Sequence, residues 1–257
     1  SLFNLLFAVL VIACIYMYGV PMLLPKVGDV MPDSPAGYAG IRKDDIIEEI
    51  NGRKIEFWDD LTREIKKSNG QTAFFYLKRG DDRMVVSVTP QATVVTNIIG
   101  REETVYRIGI SASMDPESFV TKRYNPFSAL WLSLYDTGKM AQLTLYGLGI
   151  FVSSPVERKD DVGGPIMIGK LAGDFAQVSW VSFFHLMAII SISLGVLNLL
   201  PIPALDGGHI FFLCIEAIKG SPLSMKAMEI AQQIGISLLI LLMVFVFYND
   251  ILRFFYR

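Results

Sequence analysis

The strongest candidate for chemistry lies in NLLPIPALDGGHIFF, Asn198 to Phe212. This stretch closes a run, Phe175 to Leu205, that contains no Asp, Glu, Lys or Arg, and the first charge after it is Asp206. Pro201 and Pro203 each lack a backbone donor and disfavour helix at the residue before them. Gly207 and Gly208 admit backbone conformations closed to other residues. The apolar helix is therefore expected to break between Pro201 and Gly208 and to restart as a short helix. Broken helices at membrane depth survive only where protein or a water-filled cavity shields the backbone. An ionisable residue placed there is a functional candidate. Three chemistries fit Asp206. It could cap the second half-helix, sit at a transport site where half-helices meet an ion, or ligate a metal, as carboxylates do for zinc and catalytic magnesium. The residue types alone leave all three open.

The elements around this motif follow from the distribution of charge. The chain has 257 residues, 52% of them hydrophobic, with a mean hydropathy of +0.45, more apolar than a soluble domain of this length. Of its 48 Asp, Glu, Lys and Arg residues, 31 fall between Lys26 and Arg123. Ser1–Pro25, Phe175–Leu205 and Ile230–Asn249 carry none, and each is long enough for the ~20 helical residues that cross a bilayer. This predicts three spanning helices, hence lipid as a partner. The net charge of −2 says nothing about nucleic acid, and no basic cluster suggests a nucleic-acid partner. Cys14 and Cys214 both lie in apolar segments and are expected to be buried packing residues without a disulfide.

Between the first two apolar segments the pattern changes. Lys26–Pro90 has short apolar runs broken by Pro, Gly, Asp and Asn, as in a compact β-rich domain. Asn51-Gly52 is a hairpin dipeptide, Asp59 or Asp60 suits a helix start, and Leu61 and Ile65 share one face of the helix that follows. TAFFYLKRGDDRMVVSVTP reads as two strands around a Gly-Asp turn.

Two resemblances rest on these residues. DVMPDSPAGYAGIRKDDIIEEINGRKIEFWDDL is similar to a PDZ domain of the bacterial protease-associated type. Such domains bind a peptide C-terminus by adding a strand beside a helix. The resemblance places the ligand strand near Lys26–Val30, with Val27 on it, and the groove helix at Leu61 and Ile65; both of the latter could equally be core. NLLPIPALDG in turn resembles the Asn-x-x-Pro-x-Pro-x-x-Asp-Gly signature of the site-2 proteases, intramembrane zinc metalloproteases. With the PDZ pattern, VGGPIMI at Val162–Ile168 and the ending FYNDILRFF, the match is to the bacterial regulator of sigma-E protease type. That resemblance implies Asp206 as a ligand of Zn2+ and Asn198, Pro201 and Pro203 as the residues that hold the substrate. It further implies transmembrane protein substrates such as anti-sigma factors, and a bacterial inner-membrane location with the PDZ domain outside the cytoplasm.

The expected fold is an α-helical polytopic membrane protein with an inserted α+β PDZ domain. Its parts are a transmembrane helix over 1–24, the PDZ domain over 25–91, and an extracytoplasmic β-rich linker over 92–124. An interfacial amphipathic helix and loop follow over 125–177, then a transmembrane helix broken at the motif over 178–218 and a last one over 229–249. One departure from the family is plain. The other two zinc ligands and the general base form a His-Glu-x-x-His motif there, and the two histidines here, His185 and His209, are in no such pattern. His185 is expected to be a packing residue and His209 an orienting group or cap. The chain as it stands is thus expected to be inactive, with the catalytic helix ahead of Ser1. A different class of protein, a non-catalytic membrane-anchored PDZ scaffold with a relic motif, is the alternative, and a transporter subunit a further one.

Overall fold

A computed structural model describes residues 1–96, 102–153 and 163–255. In chain order the elements begin with α1 (Leu2–Tyr18), β1 (Val20–Leu23), β2 (Val27–Val30), α2 (Pro35–Tyr38), β3 (Ile46–Ile50), β4 (Arg53–Lys54) and α3 (Trp58–Lys67). β5 (Ala73–Arg79), β6 (Asp82–Val88), β7 (Gln91–Thr96), β8 (Glu102–Arg107), β9 (Ile110–Ala112) and β10 (Phe119–Lys122) follow. The helices α4 (Pro126–Ser153), α5 (Pro165–Val178), α6 (Trp180–Asn198), α7 (Asp206–Lys219) and α8 (Met225–Phe255) complete the chain. They fall into two units: a β-rich unit, Gly19–Arg123, and a helical unit made of Ser1–Tyr18 and Tyr124–Arg257.

In the β-rich unit an antiparallel sheet has the order β4-β3-β5-β6. Asn51 and Gly52, at φ 50° and 78°, join the paired residues Ile50 and Arg53, the two-residue turn whose twist matches the strands. Along β5 the side chains alternate: Ala73, Phe75 and Leu77 are buried, while Phe74 and Tyr76 face out. The helix α3 starts where Asp60 accepts a hydrogen bond from the Phe57 backbone N–H at 3.2 Å, and Leu61 and Ile65 on its inner face join Val27, Ile47, Ile50, Phe75 and Ile108 in one core. Asp45 is fully buried yet satisfied. It accepts two bonds from Arg79, at 2.7 and 2.8 Å, and one from the Arg42 backbone at 2.8 Å.

The boundary of this unit differs from the expected 25–91. Residues read as a linker complete the fold: β9 pairs with β2, β10 pairs with β1, and Ile108 is 2% exposed in the same core. These partners lie between 80 and 102 residues apart in sequence, and no local pattern announces such a pairing.

In the helical unit α1 packs on α6 through Ala8 and Ile12 against Ala188, Ile192 and Val196. Ser191 Oγ donates to the Asn4 carbonyl at 2.9 Å. Gly195 lets the helices close, since a Cβ there would stand 3.0 Å from Leu5. Small residues and hydroxyls at a helix contact are what association in lipid requires. The segment 125–177 is corrected only in its loop. α4 is one continuous helix of 28 residues, and Pro165–Val178, read as loop, is α5; the loop expected over 154–162 lies outside the described residues. Asp136, which breaks the apolar pattern of α4, accepts a hydrogen bond from the Tyr16 hydroxyl of α1. Ser179 divides α5 from α6, accepting from the Ser182 backbone at 3.0 Å as an N-cap.

Asp250, near the end of α8, is 3% exposed. It accepts from the backbone N–H groups of Gly164, Ile166 and Met167 at 2.9, 2.9 and 3.2 Å, capping the start of α5 from another helix. Trp180–Asn198 and Met228–Leu252 are long and apolar enough to cross a membrane, while α1 has 17 residues and falls short of that length. Cys14 and Cys214 are unbonded but exposed, not buried as expected. Most of α8 is likewise apolar outside, with Ile234, Leu238, Ile240, Leu241 and Val244 all exposed. Such a surface is unfavourable in water and suited to hydrocarbon.

Candidate functional site

The break after α6 is a compact knot. Leu199 and Leu200 donate back to Val196 and Leu197, Ile202 to Leu200 at 2.7 Å, and Leu205 to Ile202 at 2.8 Å. The prolines withdraw donors at 201 and 203, so the knot closes with few backbone groups left over. Gly207 and Gly208 serve it differently from the expectation. Neither has a positive φ among the described residues. Both are buried, and a Cβ on Gly207 would run into the Leu199 and Leu200 carbonyls, one on Gly208 into the Ile202 carbonyl. The pair is needed for space: the first turn of α7 lies directly on the backbone of the knot.

Asp206 is therefore held on a rigid base as the first residue of α7, with its side chain 61% exposed. It makes no cap bond, the N-cap position being Leu205. Its carboxylate instead accepts from the amino group of Ser1 at 2.7 Å, which brings the start of α1 to the motif. Asn198 ends α6, half-buried, and its amide has no hydrogen-bond partner among the described residues, so it can both donate and accept. Pro201 and Pro203 line a concavity of about 310 Å³ with Ile202 and with Ala231, Ile234, Gly235 and Leu238 of α8. His209 follows Asp206 by three residues, on the same side of α7, and is exposed. His185 is half-buried in the second turn of α6.

The fit of zinc to these residues is incomplete. Among the described residues no group of three or more His, Cys, Asp or Glu side chains could hold a metal, whereas a catalytic zinc takes three protein ligands and one open position. Asp206 alone can supply one carboxylate.

The β-rich unit has a second candidate site, and it lies elsewhere than expected. Val27 is fully buried, and β2 is flanked on both sides. Its backbone bonds Asp44 and Asp45 on one edge, at 2.8 Å each, and β9 on the other. At Val27 both edges of the strand are therefore taken. The cleft of about 660 Å³ in this unit runs between α3, through Trp58, Leu61, Thr62, Ile65 and Lys66, and the segment Val105–Ile110. Among the described residues β9 pairs with β2 alone, which leaves its other edge open. Leu61 and Ile65 form the floor of this cleft while being 0% and 7% exposed; they are core first. The sequence signal for this edge is YRIGIS, Tyr106–Ser111, inside the segment expected to be a linker. Electrostatics along α3 are local: Lys67 and Arg53 hold the Glu64 carboxylate below the usual range.

Comparison with known proteins shows the family. A protein of Mesorhizobium japonicum named among the zinc metalloproteases is 34% identical over 251 residues, covering 97% of this chain and 68% of that protein. The regulator of sigma-E protease of Escherichia coli is 31% identical over 236 residues, covering 91% of this chain and 51% of that protein. The chain thus spans between half and two thirds of the length of these relatives. Among solved structures, a PDZ domain from Listeria monocytogenes is 23% identical over 37% of this chain, with a TM-score of 0.27. The family model for peptidase family M50 matches residues 1–242, and with it the chain, motif and broken helix included, belongs to the M50 peptidases, the site-2 protease family.

Proposed function

We propose that this chain carries the carboxylate half of the metal site of an intramembrane zinc endopeptidase, together with a PDZ-type module that binds peptides. The supporting observation is the knot at Leu199–Leu205. With its two ends it holds together an exposed carboxylate, an amide without a hydrogen-bond partner among the described residues and two prolines, directly after a helix long and apolar enough to cross a membrane. On this reading Asp206 contributes one zinc ligand, and a His-Glu-x-x-His segment outside this sequence contributes the other two and the general base. Zinc, when bound, would supply a water nucleophile at neutral pH. Asn198 would hydrogen-bond the unwound backbone of the substrate, and the prolines would keep the motif from reforming helix beside it. Single-span membrane proteins such as anti-sigma factors are the substrates proposed. The location is a bacterial inner membrane, with the β-rich unit outside the cytoplasm. In that unit the ligand strand adds to β9, not β2, beside α3.

The test uses the full-length protein and its Asp206→Asn variant in detergent. The variant should lose zinc and cleavage of a single-span substrate while keeping its melting temperature within a degree or two. The chain of 257 residues by itself should retain no stoichiometric zinc after dialysis. A variant that still cleaves, or about one tightly held zinc per 257-residue chain, overturns the assignment. The groove is tested by titrating an apolar C-terminal peptide into the full chain and its Thr62→Glu variant, since Thr62 is exposed on the cleft wall; equal affinity refutes it.

A further inference from the structure

The concavity beside the motif joins two parts of the chain that no sequence signature connects. One wall is Pro201, Ile202 and Pro203; the other is a single face of α8, Ala231, Ile234, Gly235 and Leu238, spaced i, i+3, i+4 and i+7. α8 approaches closely because position 235 is glycine: a Cβ there would stand 3.0 Å from the Ala204 backbone nitrogen and 3.3 Å from its Cβ. Every lining side chain is apolar or absent, and two of the three motif residues have no N–H to leave unsatisfied. The floor of the concavity ends three residues before Asp206.

We propose that this groove is a specificity subsite, taking an apolar side chain of the substrate next to the bond that is cut, with Ile234 and Leu238 of α8 setting the size it accepts. The proposal rests on the reading of Asp206 and Asn198 as the peptidase site. Three features favour a substrate side chain as occupant. The groove is continuous with the motif that would hold the substrate backbone. One wall belongs to the apolar segment Met228–Leu252 and every lining side chain is apolar, so the occupant it suits is itself apolar. Its volume of about 310 Å³ is at the small end for a ligand site, suited to one or two side chains.

Disulfide trapping on the full chain, with Cys14 and Cys214 replaced by alanine, tests this. Single cysteines are placed by Asn198→Cys, Ile234→Cys and Leu238→Cys. Ile240→Cys is the control on the opposite face of α8, at 53% exposure against 54% for Leu238. The probe is a synthetic Leu/Ala transmembrane peptide with Lys flanks, a central Gly-Pro to unwind it and one cysteine beside that pair. Trapping at 234 and 238 should exceed that at 240 by roughly three-fold or more, the scale of helix packing in lipid, and Ala231→Phe, which fills the groove, should abolish the excess. Trapping at 198 with background values at 234 and 238 overturns the subsite and leaves the peptidase reading standing. Background values at all positions, 198 included, remove both. Equal trapping at 234, 238 and 240 shows non-specific association and refutes the subsite. Loss of trapping at 234 and 238 alone when phospholipid is added means an acyl chain fills the groove, and this also refutes it.

Discussion

Replacing Gly208 with alanine sets two effects of opposite sign against each other. Glycine inside a helix costs about 0.5–1 kcal/mol relative to alanine, so the change should help α7 wherever there is room. Gly169 and Gly173 of α5 provide that case, because nothing lies within 4 Å of a Cβ at either. Alanine at either should raise stability by about 0.5–1 kcal/mol. At Gly208 the added carbon would meet the Ile202 carbonyl and stand 2.6 Å from the Pro203 Cα. These are backbone atoms that cannot rotate away, so either α7 or the knot must move. Overpacking of this kind costs ~1–3 kcal/mol, which exceeds the propensity gain and leaves Gly208→Ala less stable by about 1–2 kcal/mol. Thermal unfolding of the full chain in detergent should therefore show Gly173→Ala melting about 1–4 °C above the parent and Gly208→Ala about 2–8 °C below it. The same displacement should disturb the placement of Asp206, so the corresponding full-length variant should lose zinc affinity. If Gly208→Ala melts higher than the parent, alongside Gly173→Ala, the glycine pair is not a spacing device, and the reasoning about the knot fails.

The β-rich unit yields three further outcomes. Leu61→Ala should destabilise it by ~2–5 kcal/mol, as for a buried core leucine, in urea melts followed by circular dichroism; a loss below about 0.5 kcal/mol would return Leu61 to a surface role. Arg79→Ala leaves the carboxylate of Asp45 buried and unpaired, costing ~3–5 kcal/mol, whereas changing Arg83, whose side chain is 77% exposed beside Glu48, should cost less than ~1 kcal/mol. Glu64 is held low by the hydrogen bond from Lys67 and then by the charge of Arg53. Its stabilisation is complete above the unfolded carboxylate pKa of about 4.3 and disappears as pH falls through its lower folded value. Glu64→Gln should accordingly lower the urea midpoint at neutral pH and converge with the parent in strong acid; a difference that grows on acidification would contradict the assignment.

Much of this was legible in the sequence, for reasons that are local. The break at Pro201–Pro203 was visible because proline removes its own donor whatever surrounds it. The Asn51-Gly52 turn was visible because both residues tolerate left-handed backbone, and the apolar runs because a bilayer imposes its thickness on a helix. Asp206 stood out as a charge where charge is costly. The tertiary structure decided what depends on distant partners. Val27 and Ile108 belong to one core because β2 pairs with β9, and that pairing turned a supposed linker into part of the domain and moved the open strand edge from 27–30 to 110–112. Asp136 and Asp250 look like interruptions of apolar helices until the Tyr16 hydroxyl and the first turn of α5 arrive to satisfy them. Gly207, Gly208 and Gly235 announce flexibility in a sequence, yet here they mark where one backbone rests on another. A residue's own chemistry can be read from its letter. The space and the hydrogen bonds left to it are set by segments that only folding brings near.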